Sequence, residues 1–145
     1  MRKIFYSMAL LAMTAACSLH SSDNGELDGF WQATAVDTIA TGKSADVSNS
    51  QMSWSFQGDI LHIRPCRNLG GLSEYICRFI NTGDSLTVFD VLISDREVGD
   101  IAVTDSMSLS GTGLTHPYER FKILLLNEES MFLQSDSLRI NFRKY

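Results

Sequence analysis

The sequence predicts an all-β domain: eight antiparallel strands in up-and-down order, closed into a barrel and preceded by a cleaved targeting segment. Three observations predict it. Apolar and polar side chains alternate within short segments, most cleanly in QMSWSFQ at 51–57, the pattern of a strand with one buried face. Breaks rich in glycine, asparagine and aspartate, such as GD at 58–59 and NTGD at 81–84, separate those segments. The segments number eight, enough to close a barrel and leave no open sheet edge. A two-sheet sandwich of the same strands is the alternative.

Residues 1–16 read as a signal peptide. Arg2 and Lys3 supply a positive start, residues 4–13 an apolar run too short to span a bilayer in the usual way, and Thr14, Ala15 and Ala16 the small residues before a cut. Cys17 follows directly. Small residues ahead of a cysteine resemble the lipobox of bacterial lipoproteins, although Thr14 stands where an aliphatic residue is usual. That resemblance implies that Cys17 is acylated and becomes the mature amino terminus. An ordinary signal peptide with a free cysteine nearby is the other reading. Buried acyl methylenes contribute about 0.8 kcal/mol each, so more than one chain holds a protein stably on a membrane. The implied location is the bacterial cell envelope, as an outer-membrane lipid anchor facing either the periplasm or the exterior. Residues 18–26, SLHSSDNGE, are polar and aperiodic and read as a tether to a domain at 27–145.

Removing 16 of the 145 residues leaves 129, one domain by length. Arg2 and Lys3 leave with them, so the basic count falls from 12 to 10 against 17 acidic residues, and the net charge from −5 to −7. That balance argues against nucleic acid or another polyanion as partner. With 44% hydrophobic residues the chain can build a core.

The first strand is LDGFWQATAV at 27–36. In an extended strand Trp31, Ala33 and Ala35 share one face and Phe30, Gln32, Thr34 and Val36 the other. Gly29 suits a tight entry. A G-x-W at the start of the first strand, with a basic final strand LRINFRKY at 138–145, resembles the calycin superfamily of lipocalin-like barrels. The resemblance implies that Trp31 packs at the closed end beneath a basic side chain of the last strand. The matching positions are Gly29, Trp31 and Arg143. Strict alternation sets Arg143 on the face away from Phe142, so a bulge or frayed end is needed to bring it to the indole.

Residues 37–50 read as a loop at the barrel mouth. The hairpin 51–57 and 60–64 follows, then a turn at 65–72. Strands at 73–80 and 85–91 come next, and the first carries apolar groups on both faces: Tyr75, Cys77 and Phe79 against Ile76 and Ile80. Its outer face is therefore partly covered or turned toward a partner. Residues 92–117 break the pattern, with a weak helical trace at 97–104; a connection of that length is usually functional or disordered, and a lid over the mouth is one form it could take. Strands at 121–126, 130–134 and 138–142 complete the eight. Cys66 and Cys77 lie opposite each other, open to a disulfide, if the hairpin between them centres near Gly71; an earlier turn separates them.

No catalytic motif is present: neither G-x-S-x-G nor G-x-x-x-x-G-K occurs, and His20, His62 and His116 are scattered. Asp95, Glu97, Asp100 and Asp105 do not match a calcium loop, and the cysteines lack metal-ligand spacing, so no metal or cofactor is expected. What remains is apolar shape. Met52, Trp54, Phe56, Leu61, Ile63, Leu86, Val88, Phe121, Ile123, Leu125, Met131, Leu133, Leu138 and Ile140 are expected to project inward. They either fill the barrel or, at Met52, Trp54, Phe56, Leu61, Leu86, Val88, Phe121, Ile123 and Met131, line a pocket for a small hydrophobic ligand. The expected function is a lipid-anchored, non-catalytic binder of such a ligand. The alternative is a structural lipoprotein that docks onto an envelope protein through the outer face of 73–91 and the long connection.

Overall fold

The computed structural model describes residues 23–70 and 73–145, so the signal segment, Cys17, the tether up to Ser22 and Gly71 lie outside the described residues. Alternating sequence becomes strand throughout: β1 (Gly29–Thr38), β2 (Lys43–Asp46), β3 (Ser53–Gln57), β4 (Ile60–Arg64), β5 (Glu74–Asn81), β6 (Ser85–Ser94), β7 (Ile101–Ala102), β8 (Glu119–Leu126), β9 (Ser130–Gln134) and β10 (Leu138–Lys144). Eight of them run β1-β3-β4-β5-β6-β8-β9-β10 as antiparallel neighbours, and β10 pairs back onto β1. That last pairing closes a barrel and excludes the sandwich. The short β2 forms a hairpin on the far half of β1, inside the segment expected to be loop, and β7 adds to the end of β6 where the sequence shows only a weak helical trace.

The closed end is built around Trp31, which is fully buried. Just before β1, residues Gly25–Leu27 form a 3-10 turn, so the tether is ordered where it meets the barrel. The buried Leu27 offers its carbonyl to the Trp31 indole N–H at 2.8 Å. Lys144, opposite Trp31 in register, sets its ammonium 4.9 Å from the indole centroid and donates to the Glu26 carbonyl at 2.8 Å. Its ammonium lies over the indole face while remaining at the exposed edge of the barrel. Gly29 makes this possible: its φ is 115°, and an added Cβ would stand 3.0 Å from Lys144 Cε.

The basic residue over the indole is thus Lys144 and not Arg143. Phe142 points inward, so alternation brings Lys144, two residues on, to the same face and sends Arg143 out, where it bonds the Gln32 side chain.

Inside, Trp54 packs edge-on against Phe121 at 5.6 Å and tilted against Phe142 at 5.3 Å, and Phe56 meets Phe79 edge-on at 5.0 Å. Met52, Leu61, Ile63, Leu86, Val88, Met131, Leu133 and Ile140 are buried around them. Bulges shift the pattern in three places. In β8 one extra residue between Ile123 and Leu125 leaves Leu125 37% exposed and brings Leu126 onto the core instead. In β1 an extra residue between Ala33 and Ala35 moves Val36 to the inner face. In β6 Asp90 adopts a φ of 49° where the pairing with β5 slips.

The long connection does not lie over the mouth as an outer lid; part of it is inserted into the barrel. Leu109, Thr112 and Leu114 are buried. A backbone taken out of water needs partners, and it has them: the Trp54 indole N–H donates to the Thr112 carbonyl at 2.8 Å, and Cys66 N–H to the Gly111 carbonyl at 2.8 Å. The Thr112 hydroxyl closes the local turn, donating to Leu109 O at 2.6 Å and accepting from Leu114 N–H at 3.0 Å. Gly113 has φ 88°, and a Cβ there would stand 2.7 Å from Ile140 Cδ1 and 3.0 Å from Met52 Cε.

Two stability changes follow. Trp31→Ala is expected to cost about 3–5 kcal/mol, as other truncations of buried aromatics do; an unchanged urea midpoint would place the indole elsewhere. Gly113→Ala is expected to cost about 1–3 kcal/mol from crowding alone. It should exceed Gly99→Ala, where φ is 89° but nothing stands within 4 Å. Equal losses at the two glycines would mean that residue 113 is not packed inside.

Candidate functional site

The inserted segment leaves a cleft of about 630 Å³ at the barrel mouth, between itself, the β1–β2 hairpin and the start of β10. Val36, Ala45, Met52, Leu109, Leu114 and Leu138 line it, and no charged side chain does. Each is placed by a feature already described: Val36 by the β1 bulge, Ala45 by its pairing with Val36, and Leu109 and Leu114 by the Thr112 turn. At the rim Met107 is 91% exposed and Leu69 is 43% exposed, two large apolar groups left in water beside an apolar cleft. Hydroxyls of Thr38, Ser106 and Ser110 give the same cleft a few polar contacts.

Both flanks of the inserted segment are tied down. On one side the Asp105 carboxylate accepts from Ser108 N–H at 2.9 Å and Ser108 Oγ at 2.8 Å, and these bonds hold Asp105 below the usual carboxylate range. The Tyr75 hydroxyl donates to the Ser108 carbonyl, and burial, followed by the charge of Asp105, raises its pKa. On the other side the buried Glu119 accepts from the Thr115 amide, from Thr115 Oγ1 at 2.8 Å and from His116 N–H at 3.2 Å. This carboxylate fixes the exit into β8.

Of the nine pocket candidates, Met52 lines the mouth cleft. Trp54, Phe56, Leu61, Leu86, Val88, Phe121 and Met131 are buried in the packed core, and Ile123 is half-buried against it. Of these residues, Met52 and Trp54 pack directly against the inserted backbone at Thr112 and Gly113. Val36, Ala45, Leu109 and Leu114 were not expected at the site; the available signal was a pair of leucines in the otherwise small, polar SLSGTGLT at 108–115.

Cys66 and Cys77 are both buried and free, not bridged. Leu61 pairs with Cys77, which centres the hairpin before Gly71 and leaves Cys66 out of register with Cys77. Burial pushes the Cys77 thiol up to about 12. The loop carboxylate Asp95 caps its own turn, accepting from Glu97 N–H at 2.7 Å and Val98 N–H at 3.1 Å. On the outer face Glu74 stands 3.1 Å from His62 and 3.3 Å from Arg64; burial alone would raise its pKa, but those two partners hold it below the ordinary value. Among the described residues no three His, Cys, Asp or Glu side chains gather as metal ligands.

The comparisons with known proteins agree with this architecture. A lipocalin-like domain model matches residues 10–145. The chain resembles the crystal structure of a lipocalin-like protein from Bacteroides uniformis at 22% identity and a TM-score of 0.57, covering 83% of this chain and all of that one. It also resembles an uncharacterized protein from Bacteroides eggerthii at 18% identity and a TM-score of 0.55, covering 82% of this chain and 99% of the other. No curated protein matches the sequence. With the family model spanning nearly the whole chain, and eight strands closed over a buried Trp31, the protein belongs to the lipocalin-like domain family.

Proposed function

We propose that this protein binds a small apolar molecule in the mouth cleft, performs no chemistry on it, and is tied to the bacterial envelope by acylation of Cys17. The observation that carries the binding reading is the cleft itself: about 630 Å³, lined by apolar side chains, free of charge and rimmed by exposed Met107 and Leu69. Small-molecule sites are concave, largely apolar and of this size. The lipocalin-like fold supports a small-molecule binder in general. Because the barrel is filled beneath the cleft, the ligand lies across the mouth, against the inserted segment. Methionine at the rim and floor, Met107 and Met52, can adapt to its shape.

The anchor rests on the residues around Cys17, which lie outside the described structure. A second reading, docking onto an envelope protein, is favoured by one feature of the outer face. A groove of about 670 Å³ there is lined by Ile60, Ile76, Phe89 and Leu92, with Ala102 of β7 and Tyr118 beside it.

Titration with the neutral fluorophore N-phenyl-1-naphthylamine is expected to give saturable, one-site binding. Leu69→Asp, a change at an exposed rim position, should weaken it about tenfold or more by setting a charge beside the apolar ligand. Binding that never saturates, or is equal in both proteins, would remove the mouth site. Metabolic labelling with an alkyne fatty acid should tag the wild-type chain and leave Cys17→Ser unlabelled; an unlabelled wild type would remove the anchor.

A further inference from the structure

On the outer wall, away from the mouth, Arg143 of β10 stands opposite Gln32 of β1, Gln32 opposite Ser53 of β3, and Ser53 opposite Arg64 of β4. Neighbouring strands lie about 4.8 Å apart, so the two arginine backbones are about 14 Å apart measured along the barrel wall. Both side chains line a single cleft of about 630 Å³. No acidic side chain joins them in that lining, in a chain whose net charge is −5. We propose that this cleft binds a carboxylated sugar.

Arg143 is positioned and left charged. Gln32 donates its amide N–H to the Ser48 carbonyl at 2.8 Å, which fixes its carbonyl oxygen toward Arg143. That oxygen accepts from Arg143 Nε at 3.3 Å and Nη2 at 2.9 Å. A neutral amide thus uses two of the five guanidinium N–H groups and cancels none of the charge. Arg143 makes no ion pair among the described residues. Arg64 gives its Nε to Glu74 at 3.3 Å, and Glu74 lies outside the cleft lining.

The rest of the lining is not that of a simple anion hole. Phe30 and Tyr145 meet edge-on, 5.7 Å between centroids at 72°, and Tyr145 is 86% exposed. The Tyr145 N–H donates to the Phe30 carbonyl at 3.0 Å, which keeps the two rings together. Gln51 faces the same cleft with φ at 60°, a left-handed backbone uncommon outside glycine. Guanidinium matches carboxylate in a planar, two-bond geometry. Carboxamides of Asn49 and Gln51 both donate and accept, as sugar hydroxyls require. An exposed ring offers apolar surface to the C–H face of a pyranose. A bare inorganic anion would use the arginines alone, and a polyanion is opposed by the overall negative charge.

The test is an NMR titration of the full chain in detergent micelles with sodium D-glucuronate, D-glucose and sodium sulfate, following arginine Nε–H and tyrosine ring signals. Glucuronate should shift Arg143, Arg64 and Tyr145 saturably. Arg143→Gln should weaken it at least about tenfold, the loss of one charge-assisted contact. Tyr145→Ala, at a more exposed position, should weaken it severalfold while the backbone spectrum stays unchanged. Glucuronate that fails to saturate, glucose or sulfate binding as tightly, or an Arg143→Gln protein that binds as well as wild type would each overturn the assignment. The apolar site at the mouth is read by a different ligand, so failure of one leaves the other standing.

Discussion

A barrel interior can hold a stretch of main chain only if that stretch keeps its hydrogen bonds, because an unpaired buried carbonyl costs about 1–3 kcal/mol. Here an indole meets the requirement at each end. Trp31 donates to the Leu27 carbonyl beneath the barrel, and Trp54 to the Thr112 carbonyl within it, both at 2.8 Å. The two tryptophans are register partners on β1 and β3. One pair of neighbouring side chains therefore pins two segments, the 3-10 turn that closes the bottom and the inserted loop that fills the top.

The filled interior has consequences for where ligands can go. A hollow calyx would offer its inward aromatics; in this chain Trp54 packs against both Phe56 and Phe121 and bonds the inserted loop. Binding surface is left at the mouth, where Met52 and Val36 meet Leu109 and Leu114, and on the outer wall, where polar residues of β1, β3, β4 and β10 form rows across the strands. The ties at Asp105, Tyr75 and Glu119 hold the loop from both sides, so the mouth cleft is a preformed feature. Preformed sites lose less conformational entropy on binding.

Much of the wall was legible from residue periodicity. The β3–β4 hairpin is read from Met52, Trp54 and Phe56 alternating with serines, whereas the corking role of Trp31 is what the G-x-W resemblance implies. The phase errors have specific causes. Leu125 and Val36 changed faces because each follows a bulge, and a bulge leaves the residue types unaltered while shifting the period by one. Arg143 matches the basic position that the family resemblance implies, but alternation from the inward Phe142 brings Lys144 to the indole. The inserted segment was the least legible, because its contacts are main-chain carbonyls and a missing Cβ at Gly113, features that composition does not register. The mouth cleft was missed with it, since half of its lining comes from that segment.

The most direct test of the filled barrel is hydrogen exchange of the two indole N–H groups, read by NMR after transfer to deuterated water. A bond to a buried carbonyl should slow exchange at Trp54 to a degree comparable with Trp31, at the limit set by opening of the domain. Exchange of the Trp54 indole at the rate of free tryptophan, with Trp31 still protected, would show that the loop does not occupy the barrel.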